Sequence, residues 1–180
     1  MEKRPQWTWI SGPLAGLAIL QLLVLVLGGT GDAPSESNRI TVGDTILNLE
    51  AVDQTGREVA LDAGPPTVLL VFRSDCPHMG TVGDIWRDWL RSEHATFRTI
   101  AISDEPISVA WAHALSKEWQ IDVWSVEATG TEGMAREVTR RTPWVFFLGP
   151  DGTVLAEGHG ARLPALALSQ ASAPGVRGYP

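Results

Sequence analysis

Cysteine is almost missing from this chain, which has one, Cys76, in 180 residues. One thiol closes no internal disulfide, and it excludes exchange chemistry in which one cysteine attacks and a second resolves. Clusters of Lys and Arg are missing as well, and the net charge is −7. A face that grips phosphates needs such clusters, so nucleic acid is excluded as a partner. Also absent are internal repeats, low-complexity tracts, a phosphate loop, a Ser-His-Asp set and zinc-site spacing. What is present packs: 44% hydrophobic and 19% charged residues belong to a globular chain rather than a disordered one.

A further absence is local. No residue from Pro5 to Gly31 carries a charge, and Leu14 to Leu27 is apolar except for Gln21. A helix crossing a bilayer takes about 20 residues, and Trp9 to Gly29 supplies them. Lys3 and Arg4 precede the run, and Asp32 and Glu36 follow it. The basic flank stays in the cytoplasm. The pattern predicts a cytoplasmic N-terminus over 1–8, a single-pass anchor over 9–29 and a polar linker over 30–39. The domain is then on the periplasmic or other extracytoplasmic side of the inner or cell membrane. Trp7 and Trp9 fall where interfacial tryptophans contact the bilayer. A cleaved signal peptide is the alternative, ending at Gly29-Thr30-Gly31 or Gly31-Asp32-Ala33; either reading exports the domain.

Beyond the linker, 40–42 and 46–52 read as short strands, and a turn at 53–58 leads into a returning strand at 58–61. Gly64, Pro65 and Pro66 break the chain. Residues 67–72 are continuously apolar or β-branched, the pattern of a central strand buried on both faces. Met79, Val82, Ile85, Trp86, Trp89 and Leu90 recur at helical spacing, with the helix starting at Pro77. A strand follows over 97–102. Asp104 is placed to cap a helix with Pro106 in its first turn and Ile107, Trp111, Ala114 and Leu115 on its apolar stripe. After a strand over 121–126, Thr129 and Glu132 have capping-box spacing for a helix carrying Met134 and Val138. Pro143 interrupts. Then come a strand over 144–148, a tight turn at 149–152, a returning strand over 153–157, a last helix over 161–171 and a tail over 173–180. Alternating strands and helices predict an α/β domain over 40–172, with a parallel central sheet made mixed by the terminal hairpin.

Three segments carry a resemblance: VLLVFRSDCPHM (68–79), the hairpin LEAVDQTGREVAL (49–61) and RRTPWVFFLGPDGTVLAEGHG (140–160). Together with the anchor they resemble the thioredoxin-like fold, and more narrowly the membrane-anchored, exported thiol-disulfide oxidoreductases of the TlpA/ResA type. The resemblance implies a thioredoxin-like mixed sheet flanked by helices, an N-terminal β-hairpin extension and one N-terminal transmembrane helix. It places Cys76 at the family's attacking cysteine, Met79 at the resolving cysteine, and Pro143 at a proline that is cis beside the active site. A thioether cannot exchange thiols, so the motif is degenerate, CxxM in place of CxxC. Asp75 stands where the family has Trp. Its carboxylate opposes a thiolate that the helix N-terminus favours.

Three functions fit such a site. The first is a domain without dithiol activity and without a cofactor, acting as an accessory subunit docked to other membrane subunits. By analogy with exported thioredoxin-like domains that serve cytochromes, its expected home is a respiratory or photosynthetic electron-transfer complex. The second is monothiol exchange through Cys76, of the cytochrome-maturation type. The third is copper binding or delivery by Cys76, His78 and Met79, which lie within one turn and are copper-ligating types. Trp144, directly after Pro143, borders the expected partner groove and is a candidate interface anchor. Trp86, Trp89, Trp111, Trp119 and Trp124 are expected in the core. His94, His113, Glu157 and His159 are expected on the surface.

Overall fold

The computed structural model describes residues 39–92, 97–127 and 133–171. The elements are β1 (Leu49–Asp53), β2 (Glu58–Leu61), β3 (Thr67–Val71), α1 (Met79–Arg91), β4 (Arg98–Ser103), α2 (Ile107–Ser116), β5 (Asp122–Ser125), α3 (Met134–Thr139), β6 (Trp144–Leu148), β7 (Val154–His159) and α4 (Leu163–Ala171). One 3-10 turn, Gly160–Arg162, joins β7 to α4. The expected membrane span at 9–29, with Trp7 and Trp9, lies outside the described residues, as do His94, Thr129 and Glu132. Among the described residues no helix is long and apolar enough to cross a membrane.

All five residues of β3 are buried, as its unbroken apolar pattern demands. The seven strands lie in the order β2-β1-β5-β4-β3-β6-β7. The central β3, β4 and β5 are parallel, and every other neighbouring pair is antiparallel. Because side chains alternate across a strand, each central strand feeds two cores. Val68, Leu70 and Phe72 join Val82, Trp86, Ala110, Ala114, Leu163 and Ala167 under α1, α2 and α4. Leu69 and Val71 join Ile40, Ile46, Ala135 and Val138 on the opposite face. A mixed sheet with helices on both sides and an added N-terminal hairpin is thus present.

The differences from the sequence expectation are local. Residues 40–42 form no strand, because the Asp44 carboxylate accepts the Thr41 N–H (2.8 Å) and hydroxyl (3.1 Å) and bends the chain into a turn. Among the described residues before β1, a single bridge pairs Thr45 with Thr153. Helix α1 starts at Met79 with His78 as its N-cap, two residues after Pro77. Asp104 does not cap α2; Pro106 holds that place without a side-chain bond, and Asp104 pairs with Arg73 instead. Leu115 is 55% exposed, off the buried stripe of Ala110 and Ala114. Strand β7 runs on to His159 because His159 pairs opposite Trp144.

Candidate functional site

In a parallel sheet the connections at the carboxyl ends of the strands form the usual binding crevice. Here that edge carries Arg73 to His78 after β3, Asp104 and Glu105 after β4, and Ser125 and Glu127 at the end of β5. Strand β6 runs antiparallel to β3 with Trp144 opposite Val71, so the segment before β6 arrives at the same edge. Topology therefore brings Thr142 and Pro143 to Cys76 across 66 positions. The Cys76 thiol donates to the Thr142 carbonyl at 3.7 Å, and the Thr142–Pro143 peptide is cis. Cys76 is half-buried and free. Its own N–H donates to Arg73 O at 3.2 Å, and its carbonyl accepts the Met79 N–H at 2.9 Å.

The other sequence candidates divide. Met79 is 1% exposed within the core under α1. His78 is exposed, and its ring lies 6.2 Å from that of His159, at 80°. Ala161 N–H donates to His159 Nδ1 at 3.3 Å. Among the described residues no group of three or more His, Cys, Asp or Glu side chains could hold a metal ion. Cys76 and His78 thus share the loop, while the Met79 thioether points into the apolar interior.

Trp144 is half-buried and held from within. Its indole N–H donates to Glu157 Oε2 at 2.6 Å, and the Arg141 guanidinium stacks on its ring at 4.1 Å. Arg141 also donates to Glu157 Oε2 at 3.1 Å and to the Ile40 carbonyl at 2.8 Å. Burial, first of all, lowers the pKa of Arg141, and the Glu157 charge counters it. Glu157 is therefore a structural anchor and not the surface residue its position beside a turn predicts. His113 is likewise corrected. Its ring stacks on Phe72 at 5.6 Å and meets Trp119 edge-on at 5.7 Å. Its Nε2 is buried without a hydrogen-bond partner. Burial, then the Lys117 charge, lowers its pKa. Trp86, Trp89, Trp119 and Trp124 are buried as expected, whereas Trp111 is half-buried.

Of the polar residues that frame Cys76, the sequence singles out Asp75 but not Arg73, Ser74, Ser103 or Glu105. Arg73 donates to both oxygens of Asp75, at 3.1 Å each. That hydrogen bonding holds the Asp75 carboxyl below the usual carboxylate range and the guanidinium above its own. The negative charge beside the thiol is thus matched by a positive one. Ser74 and Ser103 converge on Glu105. Behind the facing segment, Trp86 Nε1 donates to Gly160 O at 2.9 Å and Gly160 N–H to Pro143 O at 3.0 Å. A continuous chain of contacts thus links α1 to Pro143.

No protein-family description matches this chain, and no curated protein does either. Solved structures do. Peroxidoxin BcpB of Mycobacterium tuberculosis superimposes with a TM-score of 0.60 at 22% identity, over 76% of this chain and 100% of its own. A candidate protein disulfide isomerase of Bacteroides thetaiotaomicron gives 0.57 at 16%, over 73% of this chain and 89% of its own. A cysteine-to-serine mutant of Xanthomonas campestris peroxiredoxin Q gives 0.55 at 14%, over 72% and 94%. The class defined by sheet order and likeness is the thioredoxin-like fold. Within it, the neighbours named here are peroxiredoxin-type and disulfide-isomerase-type proteins. At these identities the likeness establishes the fold and leaves activity to the site itself.

Proposed function

We propose that this chain is an exported, membrane-tethered thioredoxin-like protein that works by engaging a partner at the Cys76 face, without dithiol turnover. The observation that carries this reading is Met79. The position of a resolving thiol is filled by a thioether that is 1% exposed in the core, and the chain has no other cysteine. The tether is the uncharged run over 9–29. An accessory role among other membrane subunits, in a respiratory or photosynthetic electron-transfer complex that includes cytochromes, follows by analogy of fold and anchor. The test is gentle extraction of the full-length chain followed by mass spectrometry of what co-purifies. A monomer without partners sinks the accessory role, and thioredoxin-like insulin reduction sinks the loss of dithiol activity.

A second reading has its own support. Cys76 is half-buried rather than sealed in the core, and it faces the Thr142 carbonyl. Such a thiol can act once: its thiolate attacks a partner disulfide, one sulfur–sulfur bond forms as another breaks, and the displaced thiolate leaves. Oxidised glutathione is the probe. A mass increase of one glutathionyl group on the full-length chain, absent in Cys76→Ser, is the expected result; no adduct rules out monothiol exchange. Copper handling has the least support, because Met79 would have to leave the core to join Cys76 and His78. Copper retained through purification, and lost in His78→Ala, would revive it.

A further inference from the structure

We infer that Glu105 is a positioning residue that holds the loop presenting Cys76, through a side-chain clamp that prolongs the β3–β4 pairing. The inference deepens the reading of Cys76 as the working face of the domain and rests on it. Strands β3 and β4 pair in parallel from Thr67 opposite Arg98 to Val71 opposite Ile102. Their last main-chain rung is Phe72 N–H to Ile102 O, at 3.0 Å. Past it the backbone ladder ends, yet the offset of 31 positions continues, carried by side chains. Arg73 Nη1 donates to Asp104 Oδ2 at 3.4 Å. Ser74 donates twice to Glu105, its N–H to Oε2 at 2.6 Å and its hydroxyl to Oε1 at 2.5 Å.

Glu105 is itself anchored to the neighbouring strands. The Ser103 hydroxyl at the end of β4 donates to Oε2 at 3.1 Å, and Glu105 N–H donates back to Ser103 Oγ at 3.2 Å. The Ser125 hydroxyl of β5 donates to the Glu105 carbonyl at 2.6 Å. The ends of all three parallel strands thus converge on one residue, and Ser74 stands two positions before Cys76. Three hydrogen bonds to an ionised carboxylate are the strong kind, roughly twice a neutral bond each. The Arg73–Asp104 rung is the weaker one, longer and shared with Asp75 on a guanidinium that is 42% exposed. Weakening the Glu105 contacts leaves the Ser74 N–H poorly held, and the longer Arg73–Asp104 rung then carries the side-chain tie of the loop to the segment after β4. The thiol then drifts from its place against Thr142 and loses its fixed presentation to a partner.

The test is the iodoacetamide alkylation rate of Cys76 in the full-length chain, with the urea-unfolded chain as reference. Glu105→Gln and Ser74→Ala should each raise the rate towards the unfolded value by about tenfold, the scale of one lost charge-assisted bond. Ser74→Thr keeps both donors and should retain the wild-type rate. The double variant should be no faster than the faster single one, because both remove the same contact. Rates that are unchanged or lower in Glu105→Gln and Ser74→Ala overturn the inference, as do fully additive effects in the double variant. Should Glu105→Gln fail to fold, Ser74→Ala, which deletes one hydroxyl, decides alone. Alkylation needs no disulfide exchange, so a missing glutathione adduct would sink the monothiol reading and leave this measurement intact.

Discussion

Adding one methyl group at Gly160 probes how tightly the Pro143 segment is tied to the core. A Cβ there would lie 2.7 Å from Trp86 Cζ2 and 2.8 Å from Val82 Cγ1. Apolar carbons rest at roughly 3.5–4.0 Å, so about 1 Å must be found. Trp86 and Val82 are 0% and 3% exposed, and turning the indole gives up its hydrogen bond to Gly160 O. Overpacking costs about 1–3 kcal/mol and the lost bond about 1 kcal/mol. Gly160→Ala should therefore destabilise the domain by about 2–4 kcal/mol, which lowers the melting temperature by roughly 5–15 °C at this size. The same residue donates its N–H to Pro143 O, so Cys76 alkylation should change as well. Thermal unfolding followed by tryptophan fluorescence, with iodoacetamide rates alongside, measures both. A variant within about 0.5 kcal/mol of wild type, the range of neutral surface changes, with unchanged alkylation, would refute the close approach and the link built on it.

Three further outcomes are expected. Glu157→Ala strips the partner from the mostly buried Arg141 and from the Trp144 N–H, and should cost about 2–4 kcal/mol in urea denaturation; an unshifted midpoint would refute the anchor. For His113, the folded-state pKa lies below the unfolded value of 6.5. The unfolded chain therefore takes up the proton first, and stability falls as pH drops below about 6.5, levelling once the folded value is passed. His113→Leu should flatten that part of the stability curve, and a curve as steep as wild type would contradict the lowered pKa of this half-buried ring. The Asp53 carboxyl is held well below its ordinary 3.8, first by the Thr55 hydroxyl, so its contribution is present above that pH and is lost as pH falls towards the folded value. Asp53→Ala should make the acid limb shallower, and an identical acid limb would show that the β1–β2 turn does not depend on it.

Much of the fold was legible from pattern alone. The unbroken run over 67–72 has the pattern of a strand covered on both faces, and the helical spacing from Met79 to Leu90 follows from an apolar stripe facing a sheet. Errors arose where short polar side chains compete with the backbone. Asp44 turned an expected strand into a turn. Asp104, which by position should cap α2, was taken by an arginine 31 positions away. The site was half legible. Cys76 and Pro143 could be named from the sequence, but Ser74, Glu105, Arg141 and Glu157 read there as ordinary polar residues, because nothing along the chain shows which strands are neighbours.

By itself the sequence determined that no disulfide can close within this chain, which has one cysteine. One cysteine, with Met79 three residues on, removes dithiol chemistry whatever the fold, because a thioether has no exchangeable sulfur. It also determined the alternation of strands and helices, through the periods of two and 3.6 at which apolar residues recur. Only the tertiary structure decided where the remaining thiol stands. The antiparallel placement of β6 beside β3 brings Thr142 to Cys76, and the parallel register of β3 with β4 sets Ser74 against Glu105. Register is a property of paired strands and of the cores on both their faces. A one-residue slip would carry every side chain of the strand to the opposite face of the sheet, and no local stretch of sequence encodes that choice alone.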